Sequence, residues 1–303
     1  MPYSAITWNM QGETRNLPDD AGKGMKWHEE VRRELLGRYD IIALQETGTT
    51  PPGGAYPPDP GDPNEDRRPL LAQTAVNARN EPTLSWDVSE YIWHPDQSKG
   101  RATHHHRIVW LKSDRHRVDI AIIATKDIRV TDIDLIATPL RYTHNSTDLR
   151  PALGIRVQKR NTAGLYEDDM RFYSIHAASG GGFNSPFLIR AIDEYADDVH
   201  WAALGDFNRT PDSTRGNPPR RWTDGLLGDE SLPPDERLDA VSCPPNSHTH
   251  PSKQSKAKNP LTASPDRQLD YMVRDPLSDP VAGIVDEDIA SDHYAVAYCG
   301  IGL

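Results

Sequence analysis

The feature that most constrains this chain is a succession of short apolar runs, many of which stop at a polar side chain. YSAITW (3–8), IIAL (41–44), RIVWL (107–111), VDIAIIA (118–124), LGIRV (153–157), RFYSIH (171–176), WAAL (201–204), LDAVS (238–242), LDYMV (269–273) and YAVAYC (294–299) are too short for typical helices. Most are rich in β-branched or aromatic residues, so they are predicted as strands. Two stretches carry helical spacing instead. Trp27, Val31 and Leu35 fall on one face of 24–37, and Ile189, Ile192, Tyr195, Ala196 and Val199 are periodic over 186–199. The strands are more than one sheet normally holds, which predicts an α/β fold with two packed sheets and helices outside.

The 303 residues contain no internal repeat and are expected to form a single domain, 1–303. Residues 49–69 hold seven prolines and three glycines and read as a surface loop. Long polar loops are expected at 209–236 and 244–267 as well. The last carries Lys253, Lys256, Lys258 and Arg267, a basic segment in a chain of net charge −11. That acidity argues against static coating of nucleic acid by a basic surface. It leaves a phosphate-bearing substrate open, because a bound cation inverts the local field. The two cysteines, Cys243 and Cys299, follow apolar runs and are read as buried thiols; the sequence does not decide whether they pair. The opening MPYSAITWNM has no basic n-region and no apolar h-region. The expectation is a cytoplasmic protein, or an exported effector whose leader is absent from this chain.

Polar groups gather at the strand margins. Asn9 follows AITW, Glu46 follows IIALQ, His176 ends FYSI, and Asp206 and Asn208 follow AALG. Asp270 sits inside LDYMV, and Asp292 and His293 precede YAVAYC. A rigid sheet holds groups at its ends in register, which is why ligand sites form there. Asp206 and Asn208, two apart in extended chain, share a face and together can orient a water; an Asx turn explains them equally well. Glu46 suits a hard cation such as Mg²⁺, which takes oxygen ligands, and Asn9 is a metal or water ligand. Taken singly, each also reads as the start of a loop. His176 can bind phosphate or exchange protons, or sit satisfied in the core. Asp270 can pair with His293 and fix its tautomer. His104, His105 and His106 are consecutive and converge poorly on a metal, so they are read as solvated loop, as are His248 and His250. The chain lacks a Walker A sequence, a GxGxxG fingerprint and a GxSxG elbow.

In order, TWNMQG (7–12), ALQETG (43–48), SIHAASGGG (174–182), GDFNRTP (205–211), LDYMV (269–273) and SDHYAV (291–296) resemble the endonuclease/exonuclease/phosphatase superfamily with the deoxyribonuclease I fold. TWNMQG, HRVDIAIIA (116–124), LRPALGIRV (149–157) and the small residues after His176 narrow the resemblance to the catalytic subunits of cytolethal distending toxins. The resemblance implies a four-layered α/β sandwich of two mixed sheets and metal-dependent phosphodiester cleavage. It implies Glu46 as the Mg²⁺ ligand with Asn9 beside it, Mn²⁺ or Ca²⁺ being able to substitute or assist. Asp206 and Asn208 would activate water, His176 and His293 would bracket the phosphate, Asp270 would support His293, and Asp292 would complete the wall. Arg117 and Arg150 would contact substrate phosphates. In deoxyribonuclease I a glutamate supports the first histidine; HHHRIVWL offers Arg107 and no carboxylate there. The expected activity is that of a monomeric DNA endonuclease, with companion toxin subunits an open question. A phosphoinositide phosphatase is the alternative, and a non-catalytic binding module ranks third.

Overall fold

The computed structural model describes residues 2–12, 26–48, 52–62, 68–70, 87–95, 105–112, 119–137, 150–179, 182, 184–196, 199–211, 240–250, 267–275, 281–291 and 293–302, without the side chains of 168 and 290. Arg117, Asp292, and residues 212–236 and 251–266 of the two expected long loops lie outside the described residues.

The strands are β1 (Tyr3–Asn9), β2 (Ile41–Gln45), β3 (Ala55–Tyr56), β4 (Asp87–Trp93), β5 (His106–Lys112), β6 (Ile120–Ala124), β7 (Ile128–Ile136), β8 (Ala152–Arg160), β9 (Tyr166–His176), β10 (Trp201–Asp206), β11 (Val241–Cys243), β12 (Asp270–Arg274), β13 (Ile284–Ala290) and β14 (Tyr294–Ile301). Among the described residues they form two mixed sheets. One has eight strands in the order β13-β14-β1-β2-β6-β5-β4-β3; the other has six in the order β11-β12-β10-β9-β8-β7. Each sheet contains one parallel pair, β1 with β2 and β9 with β10.

Alternation along the strands explains why the sheets stack. Tyr3 and Ala5 of β1, Ile41 and Ala43 of β2, Phe172 of β9, Ala202 and Leu204 of β10 and Met272 of β12 share one apolar core between the sheets. Alternate residues such as Ile6, Ile42 and Ala203 face outward and are apolar too, because helices cover both outer faces. Trp27, Val31 and Leu35 of the helix Trp27–Leu35 pack on Ile6, Trp8, Ile42 and Leu44 of the larger sheet. The helix is wound wide, Leu36 N–H reaching the Val31 carbonyl at 3.0 Å, five residues back. Leu188, Ile189 and Ile192 of the helix Ser185–Ala196 pack on Tyr173, Ile175, Ala203 and Tyr271 of the smaller sheet. Helix, sheet, sheet and helix make the four layers of an α/β sandwich.

Four strands differ from the sequence expectation. β3 lies within the proline-rich stretch and pairs only two residues with β4. Exposed Asp87 and partly buried Ser89 and Glu90 of β4, with the acids of β13 and β7, interrupt the apolar pattern. Asp134 of β7 is nonetheless fully buried, because Arg171 pairs with it and Tyr195 donates to it at 3.1 Å. His106 opens β5 and packs buried near Trp93 rather than in a solvated loop. Both cysteines are free, and Cys299, expected to be buried, is exposed.

Candidate active site

The parallel pairs direct two sets of strand ends to one place. In β1–β2, Asn9 lies opposite Gln45, so Glu46 follows at the next step; in β9–β10, Asp206 lies opposite His176. The antiparallel neighbour β12 begins at the same level, with Asp270 opposite Asp206. The strand faces that form the core between the sheets change character along their length. Tyr3, Ala5, Thr7, Asn9 in β1 and Met170, Phe172, Ser174, His176 in β9 run from apolar to polar toward the same edge. Just beneath that edge Gln45 Nε2 donates to Thr7 Oγ1 at 3.2 Å and to Ser174 Oγ at 3.1 Å, joining the two sheets in the dry interior.

Asp206 is the centre of the constellation. Its Oδ2 lies 3.2 Å from Asn9 Nδ2, 3.3 Å from Asn208 Nδ2, and 3.9 Å from the Nε2 atoms of both His176 and His293. Its Oδ1 accepts the Asn208 N–H at 2.8 Å. Asn9 Nδ2 also reaches Glu46 Oε1 at 3.4 Å, and His176 Nε2 is 3.7 Å from the same oxygen. His293 shares its Nδ1 with Asp270 Oδ2 at 2.8 Å. The structure therefore brings Asn9, Glu46, His176, Asp206, Asn208, Asp270 and His293 together. Arg150 stands beside them, donating to the Ala177 carbonyl at 2.9 Å, the same oxygen that Asn208 Nδ2 reaches at 2.9 Å.

The backbone is strained where these groups are held. Gln11, Glu46 and Asn208, at φ of 53°, 51° and 52°, are the non-glycine residues with left-handed backbone among those described, and all three lie at this edge. The turn after β10 is clamped from the side. Ser185 Oγ donates to the Phe207 carbonyl at 2.9 Å, and a Cβ on Gly182 (φ +56°) would sit 1.9 Å from that oxygen. Phe207 faces the other way and stacks on Tyr271, with 4.4 Å between ring centroids.

Burial pushes the Asp206 carboxyl from 3.8 up to about 7. The His293 imidazole pulls it down, the Asp270 carboxylate pushes it up, and hydrogen bonds from Asn208 and Asn9 lower it. A carboxylate in this position invites a cation. Two sets of groups could hold one. Asp206, Asp270 and His293 each offer a ligand atom within 4.8 Å of the others, but Asp270 Oδ2 already accepts from His293. Glu46, with Asn9 and Asp206 at its side, offers hard oxygens while leaving the Asp270–His293 pair intact, and fits a Mg²⁺-like ion.

Several residues here were missed from sequence. His248 is exposed as expected, but His250 is buried, its ring centroid 4.2 Å from that of His293. Thr249 and Ser291 are further supports, Ser291 Oγ donating to the Asn9 carbonyl at 2.6 Å. Arg107 is far from His176: it lies at the opposite end of β5, ion-paired with Glu90.

The family model described as "Endonuclease/Exonuclease/phosphatase family" matches residues 6–293. A homolog of the CdtB subunit of cytolethal distending toxin, from Salmonella typhi, is 27% identical over 306 residues, covering 98% of this chain and 88% of that protein. The crystal structure of the Haemophilus ducreyi cytolethal distending toxin superposes with a TM-score of 0.62 at 20% identity, covering 98% of this chain and 97% of that one. Sphingomyelinase C from Streptomyces griseocarneus shares the fold at a TM-score of 0.51 and 14% identity, with 99% and 98% covered. A match that spans both parallel strand pairs and every described residue of the constellation leaves one assignment: the chain belongs to the Endonuclease/Exonuclease/phosphatase family.

Proposed function

We propose that this protein, taken as one domain over 1–303, is a divalent-metal-dependent phosphodiesterase that cleaves DNA. The family supports hydrolysis of phosphoester bonds, and the likeness to a CdtB homolog supports a nuclease within it. The observation that carries the reading is the position of Asp206, within 3.9 Å of two imidazoles and adjoining Asn9 and Asn208 in a buried edge.

Each residue has a role in this reading. Asp270 accepts a hydrogen bond from the Nδ1–H of His293, which keeps the ring in the tautomer whose bare Nε2 faces Asp206; His293 is the general base. Asp206 and Asn208 hold the attacking water, Asn208 being fixed by its bond to the Ala177 carbonyl. His176 faces the phosphoryl oxygens as a hydrogen-bond donor or cation. Glu46 and Asn9 would hold Mg²⁺, which supplies charge neutralisation on the phosphate when bound. Arg150, and Arg117 by resemblance, contact flanking phosphates. By resemblance, Asp292, the residue before His293 in sequence, would complete the wall.

Supercoiled-plasmid nicking in Mg²⁺, run beside phosphate release from phosphoinositides, tests the proposal. Nicking is expected, and it should vanish in H176A and D206N. Release of phosphate from the lipid without nicking would transfer the site to lipid head groups. Undiminished turnover in H176A would overturn the mechanism.

A further inference from the structure

The Asp270–His293 pair is braced by a segment that the mechanism does not use. Thr249 Oγ1 accepts the backbone N–H groups of Leu269 at 3.0 Å and Asp270 at 3.2 Å, while the Thr249 carbonyl accepts the N–H of Tyr294 at 3.0 Å. One residue thus ties the strand bearing Asp270 to the strand that follows His293. The next residue, His250, lays its ring against His293 at 4.2 Å between centroids and a 49° tilt. His250 is held in turn by Arg267, whose Nη2 lies 3.1 Å from His250 Nδ1, with His250 and Arg267 also paired backbone to backbone.

The chemistry of that contact fixes the state of His250. A guanidinium has only donors, so Nδ1 must be an acceptor and the proton must sit on Nε2. His250 is therefore a neutral imidazole. A protonated one would forfeit the Arg267 bond and place three positive groups in line whenever His293 took up a proton. Both rings are buried, His250 at 9% and His293 at 6% exposure, so their mutual orientation is set by packing rather than by solvent. Among the described residues, Asp270 bears on the His293 ring at Nδ1, Asp206 near Nε2 and His250 on its face.

We propose that His250, locked in its Nε2–H tautomer by Arg267, is a positioning residue that holds the His293 ring in the plane where its Nδ1–H can donate a hydrogen bond to Asp270. The consequence for activity rests on His293 acting as the base; the orientation itself does not.

The test reads the orientation directly. In metal-free protein the His293 Nδ1 proton, shared with Asp270 in a buried site, should give a sharp, slowly exchanging downfield imidazole resonance by proton NMR, assigned by its loss in D270N. In H250A, checked by circular dichroism to be folded, that resonance should broaden or exchange away. In H250F, which keeps a flat ring against His293, it should survive. Plasmid nicking should follow the same order: kcat down about tenfold or more in H250A with KM within about twofold, and largely rescued in H250F. R267M, which frees the tautomer without emptying the space, should weaken the resonance without abolishing it. A resonance in H250A as sharp as in the parent protein would overturn the proposal, as would equal loss in H250A and H250F. If no substrate were turned over but the resonance behaved as described, the proposed function would fail and the positioning role would stand.

Discussion

Asn9 reaches from the end of β1 to Asp206 at the end of β10, Nδ2 to Oδ2 at 3.2 Å, across the seam of two sheets and 197 residues of chain. The same nitrogen lies 3.4 Å from Glu46, so one carboxamide spaces two carboxylates. Replacing it with alanine should leave them to repel each other without a spacer. N9A is expected to bind Mg²⁺ about 10–100-fold more weakly, the usual cost of losing a group that orients metal ligands. Isothermal titration with Mg²⁺ or Mn²⁺ checks this, and unchanged affinity would remove Asn9 from the metal site.

The raised Asp206 carboxyl makes a prediction about stability and pH. Its folded value of about 7 lies above the ordinary 3.8, so between those limits the folded chain holds a proton that the unfolded chain has released. The resulting stabilisation is complete below about pH 4 and is lost as pH rises through about 7. Metal-free protein should therefore become less stable in urea from about pH 5 to about pH 8, and D206N should lose less over the same range. A divalent cation should offset the loss at the upper end, because it binds the ionised site. Parallel slopes for the two proteins would show that Asp206 ionises normally.

Asp270 fixes the tautomer of His293 through the 2.8 Å bond to Nδ1. In D270N the carboxamide can donate to Nδ1 and turn the ring's proton to Nε2, where the acceptor is needed. Turnover should fall by about three to four orders of magnitude with little change in KM, as happens when a base histidine is held in the wrong tautomer. Steady-state nicking rates decide the matter; a loss confined to KM would make Asp270 a substrate-binding group instead.

Gly182 is a structural test of the loop after His176. Its left-handed backbone, and a Phe207 carbonyl 1.9 Å from where a Cβ would stand, leave no room for alanine. G182A should displace the turn bearing Asp206 and Asn208, costing about 1–3 kcal/mol of stability and most of the activity. Chemical denaturation beside a nicking assay reads both, and a fully active, fully stable G182A would contradict the clamp.

What could be read from sequence, and what could not, follows from the range of the interactions involved. The strands that form the centre of each sheet are apolar on both faces, since helices cover the outside, and they stand out as runs such as IIAL and WAAL. β4 and β13 carry exposed acids that break the pattern, and β7 hides a buried Asp134 whose cost is met by Arg171, 37 residues away. The strand-end groups were legible because they interrupt apolar runs abruptly. His250 was not, since its neighbours are polar and its role arises only from contact with His293, 43 positions later, and with Arg267. Arg107, which HHHRIVWL offers in place of a carboxylate, lies at the far end of β5, where Glu90 pairs with it.

The Gln45 amide buried between Thr7 and Ser174 has a consequence for how this cleft can vary. A slide of one sheet over the other would strand that amide without partners, a penalty of about 1–3 kcal/mol. The amide therefore works as a gauge block. It sets the gap between the wall carrying Asn9 and Glu46 and the wall carrying His176 and Asp206, while the loops above the edge remain free to change length and charge. Sequence beyond the strand ends can then change without resetting the spacing between those two walls.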